Sequence, residues 1–379
     1  MFFRIFSFLI IFSSSTLWSG TKDVLLDNGL RIIYSDSSSK YPGVVMSIFV
    51  KGGFSLSYDK KSSFANIATD YTSSRIKRLS RSYGFRYRTS ISVDYTSYQL
   101  YLSRASLDQV LPRVFAIFMD PEPIKEQELN YLKQGSTQRA LSNINRRSIK
   151  YPLISYFASR YSIYNAGRDG FIEDISSISE REFNDFIKCY FSANNIIISF
   201  TGVKEKDLPI EDATSYRPCF KNEHFHVSTI DKIGDNSVTD FSYYPSKKYG
   251  FIARMGFLSS SCKDNSILYD VVAEIISRDD RIRSITESLD VQNNCYDKTG
   301  TLDLVFSGDK TNISSGYLIQ EIFGLSKRLE EQEFDLAKKQ ILEDYYRKIN
   351  EKDSFSYLLA KTQLLCGDHK KLIDYPKEL

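Results

Sequence analysis

The apolar pattern of this chain runs through one order of elements, stops, and then runs through it again. From Val24 to Gly202 the order is short strands, a helix, a long alternating stretch, then helices and a closing β-branched strand. The span Lys204–Pro218 is acidic, contains proline and has no period, so it reads as a linker over 204–218. From Glu223 the strands and helices resume. No literal residue repeat accompanies the repeated order, so the two parts are similar in architecture rather than in sequence. Two α+β halves, over 21–203 and 219–379, are the expectation, and 379 residues suffice for two cores.

The elements follow from local signals. Val24–Ser35 reads as two short strands around an Asn28-Gly29 turn. Val44–Val50 is a strand halted by Gly52-Gly53, and Ser62–Leu79 is helical. Gly84–Ser103 alternates through Phe85, Tyr87, Thr89, Ile91, Val93 and Tyr95, which predicts a strand pair or one long strand. Ser106 with Gln109 predicts a capped helix carrying Leu107, Val110, Leu111 and Val114. Further helices are expected over Lys125–Asn145, over Leu153–Tyr164, and from the Ser179/Glu182 capping box to Tyr190. Asn195–Thr201 closes the first half as a strand. In the second half, strands are expected at Glu223–Ile230, Tyr249–Leu258 and Thr301–Ser307, and helices at Asn265–Ile285, Ile313–Leu329 and Glu331–Ile349.

Composition excludes some classes. Fifty Lys and Arg against 47 Asp and Glu leave a formal charge of +3, without the basic block of a nucleic-acid binder. The start has a positive residue (Arg4), an apolar run Ile5–Phe12 and a small-residue stretch to Gly20, the grammar of a secretory signal over residues 1–20. The run is much shorter than the ~20 residues of a membrane span, so no span is expected once the signal is removed. The other reading is an uncleaved N-terminal anchor. Export, most naturally to a bacterial periplasm, makes Cys189, Cys219, Cys262, Cys295 and Cys366 relevant. No C-x-x-C occurs, and the odd count leaves at least one thiol unpaired.

Several segments, in order, resemble the insulinase, pitrilysin and mitochondrial-processing-peptidase family of zinc peptidases. Leu26-Asp27-Asn28-Gly29-Leu30-Arg31-Ile32-Ile33 is similar to the family's opening hairpin. Met46–Gly53 is similar to the strand before its metal-binding helix, and Asp94-Tyr95-Thr96-Ser97-Tyr98 to its D-Y-T-x-Y strand. Asp120-Pro121 stands where the family has N-P, and Phe191–Gly202 resembles the segment ending each family domain. The resemblance implies two similar halves, each an antiparallel-rich sheet with helices packed on one side. The second half is read as incomplete at its C-terminal end, which would leave a sheet edge for a partner to cover.

The family's chemistry rests on an inverted H-x-x-E-H helix. Histidines at i and i+4 share a face and bind one zinc, the Glu acts as general base, and a distant Glu completes the ligands. The resemblance puts these positions at Asn66, Thr69, Asp70 and Gln138, none of which is His or Glu. No His occurs before His224. The substrate-binding Arg and Tyr of the family's second half fall near Leu289 and Asn293, and are also absent. The expectation is a non-catalytic homologue that needs no cofactor and pairs with a catalytic zinc-peptidase subunit to enclose peptides. An extended peptide is expected along Gly84, Phe85, Arg86 and Arg88, because edge pairing uses backbone groups and survives loss of zinc. Two alternatives stand beside it. One is an active metalloendopeptidase with a displaced site at His224 and His226, which share a strand face. The other is a free-standing peptide-binding or assembly protein. G-x-S-x-G is absent, which argues against a serine hydrolase. Arg75, Lys77, Arg78 and Arg81 form a basic cluster that reads either as an acidic-partner contact or as a solvated helix end.

Overall fold

The computed structural model describes residues 20–36, 43–53, 56–58, 63–147, 175–208, 210–219, 225–227, 240–246, 250–264, 266–297, 300–308 and 315–379. The expected signal over 1–20, except Gly20, and the helix expected at Leu153–Tyr164 lie outside them.

The first half is a six-stranded sheet in the order β1-β2-β7-β3-β6-β5. Its strands are β1 (Thr21–Leu25), β2 (Arg31–Ser35), β3 (Val44–Lys51), β5 (Arg86–Ile91), β6 (Tyr95–Leu102) and β7 (Ile196–Thr201). All neighbours pair antiparallel except β2 with β7. The alternating stretch from Gly84 is thus a strand pair, β5 and β6. Among the described residues three helices cover one face: α1 (Phe64–Tyr83), α2 (Leu107–Met119) and α4 (Glu180–Tyr190), with α3 (Glu126–Arg147) beside α1. Period 2 sorts the strands, so Met46, Ile48, Tyr98, Leu100, Ile198 and Phe200 all point into that core. The Ser179/Glu182 capping box opens α4 as expected. Ser106 does not cap α2. Residues 104–106 form a 3-10 turn, so Ser103 takes the capping role and the Ser106 hydroxyl donates to the Ser103 carbonyl.

The opposite face of this sheet is also covered, by a helix from the far end of the chain. Ile33, Phe49, Tyr95 and Ile197 pack against Phe355, Leu359 and Ala360 of α10 (Lys352–Cys366). This coverage explains why Ile196-Ile197-Ile198 is apolar without alternation. A polar seam runs through the contact. Ser356 Oγ lies 2.9 Å from Ser47 Oγ and 3.0 Å from Ser199 Oγ, and Thr201 donates to the Lys352 carbonyl at 3.0 Å. Small hydroxyls let helix and sheet approach closely while the Ser199 and Thr201 hydroxyls donate to α10 carbonyls.

The second half is a four-stranded antiparallel sheet, β11-β12-β10-β9. It is built from β9 (Asp240–Ser246), β10 (Gly250–Ser259), β11 (Ser288–Cys295) and β12 (Gly300–Gly308). Met255, Leu302, Leu304 and Phe306 face Val271, Ile275 and Ile276 of α6 (Ile267–Arg278) and Ala337 of α9 (Glu331–Asn350). The helix expected over Asn265–Ile285 breaks at Asp279, whose side chain caps α7 (Asp280–Ser284). Between α7 and α9 lies α8 (Ser315–Gly324). The chain closes with α10 and α11 (Lys370–Glu378), which were not expected. They do not extend the second sheet, whose described edges are β11 and β9.

The span expected to be a linker is folded onto the first half. It carries the short helix α5 (Ile210–Thr214), Asn28 Nδ2 donates to the Ala213 and Tyr216 carbonyls at 2.7 and 3.0 Å, and Cys189 is bonded to Cys219. A second disulfide joins Cys262 to Cys295, leaving Cys366 free.

Candidate functional site

The site grows out of the turn between β3 and α1. A Cβ at Gly53 would sit 1.9 Å from the Ser92 carbonyl, so only glycine lets this turn close against the β5–β6 loop. After it, α1 turns Phe64, Ile67, Ala68 and Tyr71 into the core. The neighbouring stripe carries Asn66, Thr69 and Asp70, brought together by their i, i+3, i+4 spacing.

Each side chain of that stripe has a structural state. Thr69 Oγ1 donates to the Ala65 carbonyl at 2.7 Å within the helix. The Asp70 carboxylate accepts from Ser136 Oγ of α3 at 2.8 Å. The Asn66 amide nitrogen is buried and has no hydrogen-bond partner among the described residues. Gln138, expected at the distal-ligand position, is exposed, whereas Ser136 is only 4% exposed. Two residues turn an α-helix by about 200°, so Ser136 and not Gln138 faces α1. Ser136 lies two residues before Gln138, within the residue or two of register that the sequence leaves open there.

These residues do not fit zinc. Asp70 supplies one carboxylate, Asn66 a weak amide ligand, and Thr69 a hydroxyl with no basicity near neutral pH. Among the described residues no group of three His, Cys, Asp or Glu is placed to hold a metal ion. The Tyr98 phenol is buried beside Thr69, and the Tyr71 hydroxyl donates to the Glu122 carbonyl. Burial raises the Tyr98 phenol well above its usual range, and Tyr71 is pushed up to about 12, mainly by burial. Neither phenol is poised to exchange a proton near neutral pH.

His224 lies outside the described residues, and only the backbone of His226 is described. It belongs to β8 (Phe225–Val227), which pairs with β4 (Leu56–Tyr58) in the register Ser57↔His226. Leu289 packs toward the second core, and the Asn293 amide donates to the Ser266 carbonyl at 3.1 Å and to Asp270 at 2.9 Å. Both are thus used structurally.

The candidate peptide-holding strand lies at the sheet edge. β5 pairs with β6 on one side and with no other strand among the described residues. Gly84, at φ +69°, ends α1 in the left-handed conformation and sends the chain back as β5. Phe85 is a core side chain at 8% exposure, so it anchors the strand and only its backbone is available. Arg86 and Arg88 are exposed, with both guanidinium groups 5.6 Å from the Tyr101 ring centroid. Tyr101 fixes them as a pair on one face of the edge. The basic cluster divides. Arg75 is buried over Tyr71 at 3.5 Å and pairs with Glu128 at 3.0 Å, whereas Lys77, Arg78 and Arg81 are exposed near the helix end.

No protein-family model and no curated protein matches this chain. Solved structures do match it. A protease from Helicobacter pylori superposes with a TM-score of 0.74 at 16% identity, covering 94% of this chain and 92% of that one. A chain of complex III2 from Candida albicans, bound to Inz-5, matches with a TM-score of 0.73 at 14% identity, covering 95% and 89%. The periplasmic protease PqqL from Escherichia coli matches with a TM-score of 0.67 at 15% identity, covering 96% of this chain and 42% of that one. The two-half α+β architecture expected from sequence is therefore a fold shared with two proteases and with a chain of complex III2.

Proposed function

We propose that this chain is a non-catalytic peptidase homologue that holds extended peptides along β5 and works beside a catalytic subunit of the same fold. The observation that carries the reading is one contrast. The motif positions on α1 are committed to internal bonds, Thr69 to Ala65 and Asp70 to Ser136, while the adjacent edge strand, flanked by Arg86 and Arg88, has a side that pairs with no strand among the described residues. An edge strand recognises peptide through backbone hydrogen bonds, and two arginines favour acidic residues. The protease neighbours support a peptide-handling fold, and the complex III2 chain supports use of that fold within an assembly. Two disulfides and the periplasmic neighbour PqqL support export to a bacterial periplasm. Among the described residues no helix is long and apolar enough to cross a membrane.

The test is fluorescence anisotropy with labelled extended peptides. Acidic peptides are expected to bind, and Arg86→Glu with Arg88→Glu to weaken them about tenfold, which corresponds to ~1.4 kcal/mol. Absence of binding, or binding indifferent to the charge reversal, contradicts the reading. Affinity capture from the source periplasm is expected to retain a zinc peptidase of the same fold.

A further inference from the structure

The second half carries a cavity unrelated to the peptide edge. It has a volume of about 610 Å³ and lies between the start of α6, the Cys262–Cys295 disulfide, α10 and α11. That is within the roughly 300–1,000 Å³ typical of small-molecule sites. Its apolar lining comes from Ile267, Leu358, Leu365, Leu372 and the disulfide.

The charged groups in it are unequally satisfied. The Asp270 carboxylate accepts from Tyr375 Oη at 2.8 Å and from Asn293 Nδ2 at 2.9 Å. Lys371 Nζ donates to the Lys263 carbonyl at 2.9 Å, and Lys263 itself pairs with Asp297. Asp264 and Glu378 are exposed, so solvent screens them. Lys361 differs from all of these. It lines the cavity and makes no hydrogen bond and no ion pair among the described residues. It is part-buried, so its stem is held by the cavity wall while its ammonium keeps only part of its water shell. That burial lowers its pKa, against the opposing pull of Cys366 and Asp270. A partly dehydrated ammonium facing a cavity favours an anion that can meet it.

We propose that this cavity binds a carboxylate carried on a short apolar chain, the carboxylate on Lys361 Nζ and the chain against Leu358, Leu365 and Leu372. A free aliphatic acid and the C-terminus of an apolar peptide share that chemistry.

Isothermal titration of the full chain tests it with octanoate for the free acid, acetyl-leucyl-leucine for the peptide terminus, and octylamine as the charge-reversed control. At least one carboxylate is expected to bind saturably at one site, with octylamine at least tenfold weaker. Which carboxylate binds identifies the source. Lys361→Met keeps the side-chain volume, removes the charge, and is expected to weaken carboxylate binding at least tenfold. Leu358→Trp fills the cavity and is expected to abolish it. Thr362→Leu is a milder second filling variant with the same expected direction. Unchanged binding in Lys361→Met, or no saturable binding of either carboxylate, overturns the proposal.

Discussion

At Asp70 and Ser136 a hydrogen bond joins two helices where the sequence resemblance implies a degenerate metal site. This placement makes a sharp prediction. A chain carrying Asn66→His, Thr69→Glu and Asp70→His should bind zinc at least about tenfold more tightly with Ser136→Glu than with Gln138→Glu, since one correctly placed ligand is worth ~1.4 kcal/mol or more. Equal zinc affinities, measured by competition with a chelating dye, would contradict the facing of α1 and α3. A second prediction concerns His369, which is 4% exposed and whose Nδ1 lies 3.1 Å from Gln363 Oε1. Burial lowers its pKa below the usual 6.5, and Asp23 and Asp368 offset this only in part. The unfolded chain then binds the proton more readily than the folded one, so stability falls as pH drops below about 6.5. Asp270 works in the opposite sense at lower pH, because burial raises its pKa. The melting temperature of His369→Gln should therefore fall less than that of the parent between pH 7.5 and pH 5.5. Parallel curves would remove His369 from the account. From sequence the helix α1 and the common side of Asn66, Thr69 and Asp70 were legible because both follow from spacing along one helix. The residue facing them from α3 was not, because nothing local sets the rotation of one helix against another.

At the scale of elements, α10 decides how the two halves meet. Its buried face holds Phe355, Leu359 and Ala360 but also Lys352, Ser356 and Gln363, so its apolar period is weak and the helix was not legible. The polar members match polar positions on the sheet, Ser47, Ser199 and Thr201, which only the folded structure aligns with them. Ser356→Ala should cost about 1 kcal/mol, because the Ser199 hydroxyl keeps the Ser356 carbonyl as an acceptor. Ser356→Leu forces a larger side chain into the same contact and should cost about 1–3 kcal/mol. Chemical denaturation measures both, and equal costs would mean the seam is looser than it stands here. β11 escaped notice for a related reason. Ser288, Asp290, Gln292, Asn293 and Asn294 are poor strand formers, and pairing with the apolar β12 holds them in the sheet. The β5–β6 pair and the β1–β2 hairpin were legible because alternation and an Asn-Gly turn are local signals.

At the scale of the molecule, the repeated order of elements correctly indicated two α+β halves, but it did not indicate that the halves exchange support. A helix late in the chain closes the first sheet, so that sheet's core is incomplete without residues 352–366. The two halves should therefore unfold in a single calorimetric transition, with van't Hoff and calorimetric enthalpies in agreement. Two separated transitions would contradict the shared core. Over the whole molecule we propose that peptide is held at an edge strand beside α1 positions that do not suit zinc. The most direct measurement of it follows one labelled acidic peptide with the purified chain, once in excess zinc and once in excess chelator, recording affinity and peptide integrity together. The account predicts equal affinity in both and an intact peptide throughout. Cleavage in zinc that the chelator stops, or binding that the chelator abolishes, would contradict it.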